Sequence, residues 1–434
     1  MVLLGLLPAV SVHAEPDYED TTARYQATYN WQRHPAFRSA YSGPNSLGPG
    51  ADQMFTLSLT AHWGTRLWSG GELYFNPEVA AGVPFTGNLV GLGGFTNGEI
   101  TRAAGRTPTA YRQRLFLRQT WNQGGGPIRI DADLNQMAGP ADRDRTVLTV
   151  GNFSTLDVFD DNRYAKDPRT QFMNWGNWTY SSWDYAADAR GFGWGFALEW
   201  YRAEWAFRVG RMTGPREPNG LALDFNLHRH FGDQIEIERS YTISQQPGTL
   251  RVLAYRNRAV LASFNDATND LLVNQPADRQ TIFNVRRGEK IKQGLGVNLE
   301  QAINDQAGIF FRGMRSDGQT ETYAFTEVDS SLSAGVLING TAWGRDSDTV
   351  GLSLMTNHLS ADRRRFLAAG GISFFIGDGQ LQYKPEKIFE GFYSWAVTKG
   401  LWLTGDYQRI QNPAYNASRG PVDVFALRLH ARFQ

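Results

Sequence analysis

Charged side chains recur at even spacings in several stretches of this chain, which places them on one face of an extended strand. Arg114 and Arg118 share such a face, Asp131 and Asp133 another in the next segment, and Glu236 and Glu238 a third. Arg428 and Arg432 repeat the pattern near the end of the chain. Opposed guanidinium and carboxylate groups around a wet space set up a transverse field and offer donors and acceptors to a solute. A second constellation is Trp175, Trp178, Tyr180, Trp183 and Tyr185, close to Asp184, Asp188 and Arg190. A sugar presents apolar C–H faces and a belt of hydroxyls; an aromatic plane beside a carboxylate and a guanidinium matches both. Plainer uses exist for part of each set. Wall charges keep a lumen solvated, and loop aromatics pack a loop against a wall.

Other chemistries are less well supplied. Asp131, Asp133 and Asn135 begin like a calcium loop, but Gln136 stands at the sixth position and Asp142 at the twelfth, where Gly and Glu are needed. The interleaved Ile130, Ala132 and Leu134 fit a strand instead. His228 and His230 could start a zinc site, yet no third ligand is marked. Asp157, Asp160, Asp161, Asn162 and Asp167 suit turn capping as well as calcium. No nucleophile elbow, zinc-protease helix or phosphate-binding glycine loop is present. Neither a cofactor nor a metal nor an enzymatic activity is expected.

These residues must be held by something, and the rest of the chain alternates. Phe55, Leu57, Leu59, Ala61 and Trp63 share one face of a segment whose other face carries Thr56, Ser58, Thr60 and His62. Gly70-Gly71 then turns into a hairpin strand at 71–79, and further strand segments run through 24–31, 112–121, 128–135, 194–200, 205–209, 234–239, 250–258, 290–301, 307–315, 350–356, 389–397, 401–411 and 425–433. These segments are long for globular strands and close to the about 9–11 residues of a membrane strand. Aromatics make up 13% of the chain while mean hydropathy is −0.42. That combination suits a transmembrane barrel, where alternate residues face lipid and a wet lumen. The expected fold is all-β, a transmembrane antiparallel barrel of about 16 strands, as one domain over residues 15–434.

The aromatic constellation interrupts this pattern. Gly151–Gly191 does not alternate and exceeds any tight turn. So long a loop in a strand-rich chain is usually functional. Residues 154–187 are expected to fold inward and constrict the bore. Residues 1–14, apolar and ending Val12-His13-Ala14, resemble a secretory signal without its basic start and are too short to span a bilayer as a helix. The 43 basic and 43 acidic residues balance, against nucleic-acid binding, and the absence of cysteine excludes disulfides.

Four runs carry a resemblance: FDDNRYAKDPRTQFMNW, WDYAADARG, EPNGLALDF and NPAYNASRGPVDVFALRLHARF. They resemble the carbohydrate-selective outer-membrane porin family (OprB-type) over nearly the whole chain after residue 14. The resemblance departs at the end, where Gln434 follows Phe433. It implies about sixteen antiparallel strands in the outer membrane of a Gram-negative bacterium, passing mono- and oligosaccharides by diffusion. Implied partners are sugars, outer-membrane lipid and lipopolysaccharide, and the barrel assembly machinery; homo-oligomerisation is left open. A general porin or polysaccharide exporter is the rival on the same barrel, followed by a lipid-modifying barrel enzyme and a soluble secreted sugar-binding protein.

Overall fold

The structure, a computed structural model, describes residues 18–102, 105–278 and 281–433. The signal-like segment 1–14 and Gln434 lie outside the described residues. Strands β1 (Thr21–His34), β2 (Asp52–Trp68), β3 (Gly71–Val83) and β4 (Gly105–Asn122) open the chain. A small pair, β5 (Pro127–Ile130) and β6 (Gly139–Asp142), precedes β7 (Arg145–Phe153), β8 (Gly193–Arg202) and β9 (Trp205–Met212). Then come β10 (Phe231–Ile243), β11 (Gln246–Val260), β12 (Glu289–Ala302), β13 (Ala307–Ser316) and β14 (Ser330–Gly340). The last four are β15 (Arg345–His358), β16 (Glu386–Thr398), β17 (Leu401–Gln411) and β18 (Val422–Phe433). All but β5 and β6 form one closed 16-stranded barrel of antiparallel neighbours. β1 pairs with β18 from Tyr25–Phe433 to Arg33–Phe425, so no edge is left at the closure.

Closure turns the usual burial pattern inside out. Thr56, Ser58, Thr60 and His62 are buried, whereas Leu59 and Trp63 on the other face are exposed. Arg428 and His430 likewise point inward between the exposed Leu427 and Leu429. Apolar side chains are therefore the outer surface, as lipid requires. The barrel's two ends also differ. Turns as short as Ser69–Gly70, Ala203–Glu204 and Lys399–Gly400 join strands at one end, and connections such as 154–192 and 261–288 at the other. Exposed Trp68, Trp121, Trp200, Trp205, Trp343 and Trp395 all stand near the short-turn end, forming an interfacial girdle.

One expected wall strand is corrected. The stretch 128–135 does not join the barrel: only Pro127–Ile130 is extended, and it pairs solely with Gly139–Asp142. Gly124, Gly125 and Gly126 all adopt positive φ just before it, which turns the chain off the wall. Two wall strands were not expected. β7 turns apolar Val147 and Phe153 inward beside Thr149, and β14 carries an inner face of Ser331, Ser333 and Gly335 with no charge to mark it.

The outer face offers a direct test. Leu427→Arg puts a charge at mid-strand on the exposed apolar surface and is expected to cost about 2–4 kcal/mol, lowering the yield of folded barrel. Ser58→Arg is a poor control, since Ser58 is buried and donates to Glu99 at 2.8 Å. Thr120→Arg, on the cavity wall, is the better one and should fold normally. Heat-modifiable gel migration of both variants checks this.

Candidate functional site

The long connection 154–192 folds inside the barrel and is tied to strands on nearly every side, most densely on the β10–β18 side. Asp160 accepts from Arg312 of β13 at 2.9 Å and from Asn298 of β12, and its N–H donates to Glu236 of β10 at 2.9 Å. Asp184 accepts from Lys292 of β12 at 2.7 Å and from the N–H groups of Tyr323, Ala324 and Phe325 at 2.6–3.0 Å. On β16, Glu390 accepts from the N–H of Met173 at 2.5 Å and from the Asn177 amide at 2.5 Å. Both members of the Lys292–Asp184 pair are fully buried. Such charges persist away from water only when paired and fully hydrogen-bonded. Burial pushes the Asp184 carboxyl up, but Lys292 and the backbone N–H donors outweigh it and hold the group below the usual carboxylate range. Inward-facing glycines make the sockets. A Cβ at Gly296 would stand 2.8 Å from the Tyr180 ring, and one at Gly308 would collide with Tyr164.

The open space left beside the loop is eccentric. A cavity of about 1120 Å³ runs along the inner faces of β2–β4 and β7–β9. Its wall alternates charge pairs and rings. Arg114 is bound by both oxygens of Asp157 at 2.6 Å and lies 5.1 Å from the Phe192 ring centre. Arg118 donates to the Asn135 carbonyl at 2.9 Å and covers Tyr74 and Phe116. Arg190 lies 4.3 Å from the Tyr111 ring centre. Arg169 is clamped by Glu78 at 2.8 Å and Glu99 at 2.9 Å, while Arg208 takes Glu199, Glu236 and Glu238. Trp175, Trp178 and Tyr185 edge the same space. A guanidinium over a ring presents a weakly hydrated face and N–H donors together.

Of the expected site residues, Arg114, Arg118, Asp133, Arg190 and Arg432 line this cavity, together with Trp175, Trp178 and Tyr185. The others are placed elsewhere. Trp183 is fully buried, edge-on to Tyr180 and Tyr185, and Asp184 anchors the loop beneath it. Asp188 caps its own turn, accepting from the N–H of Arg190 at 2.9 Å and of Phe192 at 3.0 Å. Glu236 and Glu238 are bound by Arg208, and Arg251 adds a 2.7 Å contact to Glu238. Asp131 forms an exposed pair with Arg129. Arg428 donates to the carbonyls of Pro168 and Gln171, whereas the cavity-lining Arg432 stands 3.6 Å from both Asp133 and Asp167. Arg102, Arg169 and Tyr185's neighbour Asp157 were not expected on the path. Asp157 and Arg169 sit within the non-alternating stretch, and Arg102 ends a glycine-rich loop, so no periodicity marked them. The candidate calcium carboxylates each have a cation: Asp157 Arg114, Asp160 Arg312, Asp161 Lys166 and Asp167 Arg432.

A closed barrel, apolar outside and charged inside, with an inward loop beside an open cavity, defines a membrane channel. Residues 47–433 match the model of the carbohydrate-selective porin, OprB family, and the chain belongs to that family. Among solved structures it is similar to the high-pH structure of Pseudomonas putida OprB, with 15% identity and a TM-score of 0.68 over 95% of this chain and 94% of that one. The low-pH structure of the same protein gives 11% identity and a TM-score of 0.52, covering 95% and 93%. The outer membrane channel DcaP of Acinetobacter baumannii gives 10% identity and 0.52, covering 95% and 97%. At these identities the likeness is one of fold. No curated protein sequence matches the chain.

Proposed function

We propose that this chain admits mono- and oligosaccharides across the outer membrane of a Gram-negative bacterium by passive diffusion. The observation that carries the reading is the eccentric cavity, where the guanidiniums of Arg114, Arg118 and Arg190 stand 4.3–5.3 Å from aromatic ring centres. The weakly hydrated plane of a guanidinium gives a sugar's C–H face a platform, and its N–H groups give the hydroxyls donors. Pairing of most wall charges keeps the net field small, which suits uncharged solutes. Each contact is individually weak, and a solute must be able to leave. The constriction is formed by the 154–192 loop, with Tyr185 and Arg190 on its cavity side.

Single-channel recording in planar bilayers with a panel of sugars tests this. Sugars are expected to reduce the ion current at millimolar concentration. Arg190→Gln keeps a polar donor on a shorter side chain and removes the charge from the Tyr111 face. It should weaken sugar block about threefold to tenfold, since a charge-assisted hydrogen bond is worth about 1.5–3 kcal/mol when buried and less in a wet bore. Open conductance should change little. Sugar block unchanged in this variant, or absent in the parent channel, refutes the reading.

A further inference from the structure

The connection between β4 and β7 is out of place for its end of the barrel. At the short-turn end the other strand pairs are joined by a few residues, such as Ser244–Gln245 and Lys399–Gly400. Residues 123–144 instead build the β5–β6 hairpin and fold it inward. Its inner segment is fastened to the wall. The Met137 N–H donates to the Tyr74 hydroxyl at 3.1 Å, and the Asn135 carbonyl accepts from Arg118 at 2.9 Å. Arg66 donates to the Ala138 carbonyl at 3.0 Å, and Glu19 accepts from the Ala138 N–H at 2.8 Å. These partners belong to β2, β3, β4 and the segment before β1, so the hairpin crosses an arc of the mouth rather than hanging from its root. Met137 and Ala138 are buried, while Asp133, Leu134, Asn135 and Gln136 face the same cavity as Arg114 and Arg190.

We infer that this hairpin is a second filter, in series with the 154–192 loop, and that its inner segment Asp133–Gln136 sets the size of solute that leaves the cavity at the short-turn end. Between the two inward elements the cavity becomes a chamber. At about 1120 Å³ it exceeds the roughly 300–1,000 Å³ of ordinary small-ligand sites, room for an oligosaccharide with water around it. Arg432 of β18 joins the two filters, its guanidinium 3.6 Å from Asp133 of the hairpin and 3.6 Å from Asp167 of the loop. Every strong attachment of the hairpin is to a wall strand or to the start of the chain, so it is a fixed ledge and not a swinging lid. The inference concerns the geometry of the path and stands whether or not the passing solute is a sugar.

Two variants test it. In the first, residues 128–141 are replaced by a short Gly-Ser turn. Two resistances in series add, so removing one should raise single-channel conductance, about twofold if the two are equal, and admit larger neutral polymers in a size-exclusion assay. The second keeps the fold intact. The chain has no cysteine, so Gln136→Cys introduces the only thiol. A bulky thiol reagent added on the short-turn side should cut the current by at least half, and a small one much less. Should the shortened hairpin prevent folding, the thiol experiment decides alone. A folded shortened barrel with parental conductance, or complete labelling of Cys at 136 without loss of current, overturns the inference. Loss of sugar block with these conductance effects intact would count against the sugar reading and leave the second filter standing.

Discussion

Asp184→Asn is expected to turn a quiet, sugar-sensitive channel into a noisy and more conductive one. The substitution preserves shape and removes one charge. It leaves the Lys292 ammonium without its carboxylate in a site closed to water. Removing one partner of a buried pair typically costs about 3–5 kcal/mol, because the remaining charge is uncompensated. Since about 1.4 kcal/mol is a factor of ten, the released form of this part of the loop should become at least a hundredfold more populated. The remaining anchors at Asp160 and Glu390 keep the first part of the loop in place. The expected recording is therefore an open level interrupted by larger steps, with sugar block reduced during those steps. Lys292→Met should behave similarly. The double variant should recover much of the quiet state, since replacing both members of a buried pair is far milder than removing one. Single variants with parental conductance and noise would show that the pair does not hold the loop.

The architecture was legible because lipid and water divide each strand by alternate residues. Segments such as 55–63 and 425–433 show that division in sequence, and they lie in β2 and β18 as read. Failures arose where the division is faint. β14 has serine and glycine inside, too small and neutral to contrast with Leu332 and Val336 outside. The 128–135 segment alternates as well as many wall strands do, and only the glycine run before it, with Pro127 and Pro140, signals that it leaves the wall. Individual site residues were harder. Alternation identifies an inward charge but not its depth under a loop, so Glu236 and Arg114 looked alike in sequence. One is buried under Asp160 and the other lines the cavity. The loop's docking face did leave a trace. Gly294 and Gly296 alternate on the inward face of β12, where a wet wall would tolerate larger side chains, and Gly296 receives the Tyr180 ring.

Arg114→Gln should give the channel a pH-dependent ion selectivity that the parent lacks. In the parent, burial raises the Asp157 carboxyl, but the bidentate Arg114 guanidinium overrides this, helped by the Ser154 N–H, and holds it below the usual carboxylate range. Asp157 is thus ionised at all ordinary pH, and its charge is cancelled at the wall. Taking away the guanidinium has two consequences. Near neutral pH an unmatched carboxylate now faces the cavity, so reversal potentials in a salt gradient should shift towards cations. Burial, no longer opposed by Arg114, should also raise the Asp157 pKa above the ordinary carboxylate value of about 3.9. As pH falls through that raised pKa, the variant should take up a proton at Asp157 and lose the added cation preference. The parent should stay nearly flat over the same range, because its carboxyl titrates lower. Sugar block should weaken at every pH, since Phe192 loses one of the two guanidiniums over it. An Arg114→Lys channel separates charge from shape: it should retain the parental reversal potential while still losing part of the block, as an ammonium can neutralise Asp157 but cannot bind both its oxygens while standing over the ring. A variant whose selectivity does not change between neutral and mildly acid pH would mean that another cation has taken over Asp157, with Lys166 of the same loop the nearest candidate by its influence on that carboxyl.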